Sequence, residues 1–121
     1  MSFSKIDLSE ISLPCVEGAE NILQKCVQVL ADDFEADEVW LYGSCTKGCS
    51  HPESDLDFMV VRELKDLKRP SLEALKLLRP YHNEIGIDLF VITPEIWSKR
   101  QKNPNGVYAD IIHRGKKLYA R

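Results

Sequence analysis

The sequence predicts a small α/β protein, and three observations support that prediction. Short segments rich in β-branched and aromatic residues alternate with segments whose apolar residues recur at helical spacing. The 121 residues suffice for one compact domain, so we expect a single domain over 1–121 with a lead-in at 1–14. The hydrophobic fraction of 44% and the charged fraction of 29% are ordinary for a globular protein.

Each predicted element follows from a local pattern. Pro14 suits the first turn of a helix over about 15–34, where apolar residues recur three or four positions apart. In a second helix, after Pro70, we expect Leu72, Leu75 and Leu78 to share the buried side. The predicted strands are residues 38–42, 55–61, 86–92 and 116–119, and the later helices begin near Pro94 and Val107.

Composition argues against secreted and membrane proteins. The first forty residues carry nine acids against two lysines, which is unlike a signal or transit peptide. The longest apolar runs have the length of a strand and are too short to cross a bilayer. We therefore expect a cytoplasmic protein that has no membrane partner.

Four cysteines raise the alternatives of a disulfide or a zinc site. Without a secretory signal we expect reduced thiols. Cys45, Cys49 and His51 lie close together in sequence, but their spacing, with no second pair downstream, fits no standard zinc arrangement.

Charge is unevenly distributed along the chain. The net charge is −3, yet residues 99–121 contain seven basic residues and one acid, Asp110. This segment is either a solvated basic edge or a surface that meets phosphates or an acidic partner. Because the whole chain is acidic, we expect no direct binding of long nucleic acid.

Three aspartates suggest a metal site. Asp55 and Asp57 begin a predicted strand, and residues i and i+2 of a strand point the same way. Their carboxylates repel each other unless a cation lies between them, and magnesium prefers such hard oxygen ligands. Asp88 lies in an otherwise apolar segment typical of a strand covered on both faces, where an unpaired carboxylate is costly. If the two strands are neighbours, the three acids could share two magnesium ions.

Gly43 and Ser44, directly after the first predicted strand, suit phosphate binding. Glycine lets the backbone approach a phosphate closely, and a helix starting at Ser44 would present free amides and a hydroxyl to the β and γ phosphates. Gly-Ser and Asp-x-Asp are each common in turns. Their combination is more specific: strand, Gly-Ser, ten residues, Asp-x-Asp, then an aspartate in a third strand.

These motifs resemble those of the minimal nucleotidyltransferases in the polymerase-beta-like superfamily, whose pattern is Gly-Ser, about ten residues, Asp-x-Asp. The resemblance covers roughly 20–120, with the motif core at 38–93, and the ending 111–119 is similar to the family's usual close. It implies a nucleotidyltransferase fold with a small mixed sheet flanked by helices. In this sequence the pattern falls on Gly43, Ser44, Asp55 and Asp57, and the third carboxylate falls on Asp88.

The resemblance also implies a function: magnesium-dependent transfer of a nucleoside monophosphate, most often AMP from ATP, to a hydroxyl. Asp55, Asp57 and Asp88 would be catalytic and hold the metal, and Gly43 and Ser44 would bind the nucleotide. A partner or a second copy would complete the substrate pocket. Relatives of this size are commonly encoded beside a HEPN-domain protein and act as antitoxins, some by adenylylating the HEPN ribonuclease.

Three functions remain open at this point. The chain could be a protein adenylyltransferase serving as antitoxin, or a binding antitoxin without catalysis. It could also be a small-molecule nucleotidyltransferase, similar to antibiotic-modifying enzymes, with a separate substrate-binding subunit. The intact set of three acids favours the first over the second, because a binding module has no need for converging carboxylates.

Overall fold

A computed structural model describes residues 19–43, 56–64, 68–81 and 85–121 of the chain. The helices are α1 (Ala19–Asp32), α2 (Pro70–Leu78), which continues into a 3₁₀ turn (Arg79–Tyr81), α3 (Pro94–Lys102) and α4 (Val107–Arg114). The strands are β1 (Glu38–Tyr42), β2 (Leu56–Val61), β3 (Ile87–Ile92) and β4 (Lys116–Ala120). None of the helices in this described part has the length and apolar character of a transmembrane span.

The four strands form one mixed sheet in the order β3-β2-β1-β4. β1 pairs antiparallel with both β2 and β4, whereas β2 and β3 are parallel. The parallel pair requires a long connection, which contains α2. The predicted small mixed sheet flanked by helices is therefore confirmed.

Helices cover both faces of the sheet, and each face has its own core. Helices α1 and α2 pack on the first face, against alternate residues of the strands. Helices α3 and α4 pack on the second face. Examples from the first core are Leu23, Leu30, Leu41, Phe58, Val60 and Leu78, and the buried members of the second are Met59, Val61, Ile92, Trp97 and Ile111.

The predicted helix after Pro70 is present, and its buried side matches the prediction at Leu78, which is buried, and at Leu75, which is partly buried against the first core. The prediction is wrong at Leu72, which is 42% exposed, because Ala74 takes its place in the core. At about 100° per residue, Leu72 points roughly 200° away from Ala74. Helix α3 begins at Pro94 as predicted, and Thr93 caps it, because the Thr93 hydroxyl accepts a hydrogen bond from the amide of Ile96 at 3.1 Å.

Cys26 is a fully buried free thiol in the first core. Burial raises the pKa of Cys26 to about 12, so the thiol stays protonated at neutral pH and packs as a small apolar group. The expectation of a reduced cysteine is met here. Cys15, Cys45, Cys49 and His51 lie outside the described residues.

The turn from α1 to β1 contains a strained residue. The φ of Glu35 is +57°, a left-handed conformation that favours glycine. The turn is fixed by backbone hydrogen bonds from Phe34 to Val29 (3.0 Å) and from Ala36 to Leu30 (3.0 Å). Such an arrangement after a helix normally places glycine at the left-handed position.

We therefore expect Glu35→Gly to raise the free energy of unfolding by about 1 kcal/mol, because it removes the cost of holding a Cβ in this conformation. The Glu35 carboxylate is exposed and lies 4.0 Å from Arg62, so its loss should matter little. Urea denaturation measures the change. Glu35→Ala is the control, since it removes the same carboxylate and keeps the Cβ; an equal gain in both variants would contradict the assignment of strain.

Candidate active site

Three side chains form a row across neighbouring strands at one end of the sheet. Tyr42 of β1 is the antiparallel register partner of Asp57 in β2, and Asp57 is the parallel partner of Asp88 in β3. All three lie on the second face, because they alternate with residues of the first core. Neighbouring strands are about 4.8 Å apart, so the two carboxyl groups are close neighbours. We call Tyr42, Asp57 and Asp88 the site row.

The two acids of the row differ in exposure. Asp57 is half-buried on a central strand, whereas Asp88 is exposed. β3 has core residues on both faces, as the sequence predicted, since Leu89 lies in the first core and Ile92 in the second. At Asp88 itself the second face is not covered, because the helices of that face pack further along the sheet, over Phe90 and Ile92. The row is thus open to solvent at Asp88.

Gly43 follows β1 and packs against Asp57. Its φ is +84°, and a Cβ added to it would overlap Oδ2 of Asp57 and lie 3.3 Å from Cγ. The positive φ favours glycine at this position, and any larger residue would force the Asp57 carboxylate to move. The predicted close backbone approach at Gly43 is therefore seen here toward the Asp57 carboxylate. Ser44 and Asp55, the other predicted site residues, lie outside the described residues.

The surroundings of Tyr42 change the pKa of its hydroxyl. Burial, and then the negative charges of Asp57, Asp88 and Asp110, raise the pKa of Tyr42 to about 12. The hydroxyl is therefore protonated at neutral pH and can donate a hydrogen bond. Asp110, in the first turn of α4, was not predicted as a site residue. No motif marks it, because only the packing of α4 on the sheet brings it near Tyr42.

The carboxylates of the site row are the kind of ligand that magnesium prefers. This ion is usually held by one or two carboxylates, with water and substrate phosphates completing its shell. Asp57 and Asp88 can supply two such carboxylates from adjacent strands. Within 19–43, 56–64, 68–81 and 85–121, no three His, Cys, Asp or Glu side chains are grouped so that they could hold a metal. The acidic pair of Asp57 and Asp88 comes from the register of β2 and β3 alone.

Comparisons with known proteins agree with this geometry. Residues 24–121 match the family model described as polymerase beta, nucleotidyltransferase. No curated protein is significantly similar to the sequence.

Two solved structures share the fold. One is a chain from the toxin–antitoxin MntA-HpeT, in a variant with two Asp-to-Glu substitutions two positions apart. It is 18% identical, with a TM-score of 0.56, over 80% of this chain and 72% of that one. The other is a Sulfolobus solfataricus protein classed as a nucleotidyltransferase. It is 16% identical, with a TM-score of 0.53, over 84% of this chain and 79% of that one.

The contact between Gly43 and Asp57 predicts a specific loss of stability. Gly43→Ala should lower the free energy of unfolding by about 2–4 kcal/mol, through the positive φ and the overlap with the carboxylate. Gly106→Ala tests an unfavourable backbone conformation alone, because Gly106 has a φ of +58° and a ψ of −135° but no atom within 4 Å of an added Cβ. It should lose about 1–3 kcal/mol without any overlap.

Urea denaturation measures these losses, and an equal loss from Gly43→Ala in wild-type and in Asp57→Ala protein would show that the overlap with Asp57 is unimportant. Combining Gly43→Ala with Asp57→Ala should recover most of the excess loss, because the overlapping oxygen is then gone.

Proposed function

The chain belongs to the polymerase beta nucleotidyltransferase family, and we propose that it is an active, magnesium-dependent member. It would transfer AMP, or another nucleoside monophosphate, from a nucleoside triphosphate to a hydroxyl group. The observation that carries this proposal is the parallel register that places Asp57 beside Asp88 on one face of the sheet. Two adjacent carboxylates repel each other, and a divalent cation relieves that repulsion.

Each predicted site residue has a role in this proposal. Asp57 and Asp88 would hold magnesium, and Asp55 would join them because it lies two positions before Asp57. Gly43 and Ser44 would bind the nucleotide phosphates. Bound magnesium, two ions in the complete site, would neutralise charge on the reacting phosphates. In the reaction the acceptor oxygen bonds to the α-phosphorus and its hydroxyl proton passes to solvent water, while the bond from that phosphorus to the leaving pyrophosphate breaks.

A partner protein is the acceptor that we propose, with the chain acting as its antitoxin. The exposure of Asp88 supports a large acceptor, since one side of the row is open to solvent. The fold is similar to that of a chain from the toxin–antitoxin MntA-HpeT, and this similarity also supports a partner protein as the acceptor. The two substituted aspartates of that variant have the spacing of Asp55 and Asp57. A HEPN-domain protein is the partner class that the motif resemblance favours.

Removing either described carboxylate should abolish transfer while the fold persists. Asp57→Asn and Asp88→Asn should each lower the rate at least about 100-fold, because charge stabilisation by a metal contributes several kcal/mol. Transfer of label from ATP in magnesium to the protein encoded by the neighbouring gene, which we propose is a HEPN-domain protein, measures the rate. Asp32→Asn, which changes an exposed aspartate on α1, should be unaffected. Wild-type rates for Asp57→Asn would remove the metal assignment.

The destination of the label separates the three functions. A protein adenylyltransferase labels its partner, and its Asp57→Asn variant no longer neutralises that partner. A binding antitoxin leaves the partner unlabelled and still neutralises it as Asp57→Asn. A small-molecule enzyme places the label on a small acceptor and not on protein. We expect the first result; either of the others would replace the proposal.

A further inference from the structure

Positive charge is concentrated in the elements that follow β3. Residues 94–121 carry seven basic and two acidic residues, whereas residues 1–93 carry nine basic and seventeen acidic ones. Three of these cations, Lys99, Arg100 and Lys102, lie in the last turn of α3, and all three are exposed. Glu95 neutralises part of this charge, since it lies 3.5 Å from Lys99. The exposed end of α3 therefore favours a negatively charged partner.

Exposed apolar side chains accompany these cations. Ile96 on α3 is 42% exposed and Val107 on α4 is 40% exposed. Ile96 and Arg100 are four positions apart and so share one side of α3. Protein interfaces combine apolar residues with arginine, whereas nucleic-acid interfaces are dominated by contacts to phosphate. The combination of Ile96, Val107 and cations therefore favours a protein partner over a nucleic acid.

Arg100 is held in place before any partner binds. Its guanidinium carbon lies 5.1 Å from the ring centroid of Tyr108. The Tyr108 ring is itself fixed between Phe90 (6.1 Å) and Trp97 (6.4 Å). A stacked guanidinium loses less conformational freedom on binding than a free one, and arginine is enriched among the residues that dominate binding energy. Arg100 is thus the best-prepared cation of this helix pair for a carboxylate on another protein.

The same ring contacts connect Arg100 to the site row. Phe90 lies 6.0 Å from Tyr42, so Tyr42, Phe90, Tyr108 and Arg100 form a continuous chain of contacts. Both ends of this chain lie on the second face of the sheet. A protein bound at Arg100 would therefore contact the same face of the sheet that carries the carboxylates of the proposed function.

From these observations we propose that the exposed residues of α3 and the start of α4 bind an acidic surface of the partner protein. This α3–α4 surface consists of Ile96, Lys99, Arg100, Lys102 and Val107. The inference rests on the proposed function for the identity of the partner, and it adds the surface and the charge that the partner must carry. Because attraction between exposed charges is screened, binding should weaken between about 50 and 200 mM salt.

The structure supplies a closely matched pair of variants for the test. Ile96→Glu with Arg100→Glu reverses the α3–α4 surface. Leu72→Glu with Lys76→Glu makes the same changes at the same spacing on α2, on the opposite face of the sheet, and Leu72 is also 42% exposed. Both pairs are placed in Asp57→Asn protein, so that binding is measured without transfer. Calorimetry with the protein encoded by the neighbouring gene gives the dissociation constants.

We expect the α3 pair to weaken binding at least about 30-fold and the α2 pair to change it less than about threefold. Circular dichroism and melting temperature should be unchanged in both. If the α3 pair does not fold, Arg100→Gln alone should still weaken binding by about tenfold. Unchanged binding in the α3 variants, or an equal loss in the α2 pair, would overturn the surface and leave the proposed transferase standing.

Other outcomes overturn the inference in different ways. If Asp57→Asn protein with an unchanged surface does not bind the neighbour, the proposed antitoxin function fails, and this inference fails with it. If a single-stranded RNA of about 20 nucleotides binds and Arg100→Glu abolishes that binding, the surface serves nucleic acid. Self-association in sedimentation that the α3 pair removes would assign the surface to a second copy of the chain.

Discussion

The parallel pairing of β2 with β3 is the constraint on which the candidate site depends. A slip of one residue in this register would turn Asp88 to the face that carries α1 and α2, far from Asp57. Apolar residues fix the register, because Leu56, Phe58, Ile87 and Leu89 all enter the first core. Two further contacts hold β3 in place. The amide of Leu56 donates to the carbonyl of Gly86 at 2.8 Å, and the amide of Val91 donates to the Ser71 hydroxyl at 3.2 Å.

The acids of the site row face away from the first core, because successive residues of a strand point to opposite faces of the sheet. Leu56 and Phe58 anchor β2, and the residue between them, Asp57, necessarily faces away from the first core. Gly43 then brings the backbone against its carboxylate. Burial and the negative charges of Asp57, Asp88 and Asp110 raise the pKa of Tyr42. In the proposed function a divalent cation would reduce the repulsion between the two carboxylates of the site row.

Much of this arrangement could be predicted from the sequence, for identifiable reasons. Three features were predictable because each depends on residues that are close together in the chain. They are β1, the start of α3 at Thr93 and the alternation along β2. The exposure of Asp88 and the burial of Ala74 in place of Leu72 depend on which strand lies at the edge and how α2 sits on the sheet. Asp110 comes near Tyr42 only through the packing of α4, which no spacing in the sequence encodes.

Manganese, which replaces magnesium at carboxylate sites and broadens nearby NMR signals, tests the central claim most directly. Substoichiometric Mn²⁺ added to ¹⁵N-labelled protein should selectively broaden the amide signals of Gly43, Asp57 and Asp88, and excess Mg²⁺ should restore them. Asp32 and Asp33, an exposed acidic pair at the end of α1, provide an internal comparison and should be unaffected. Broadening centred on that pair, or spread evenly over the chain, would contradict a metal site between β2 and β3.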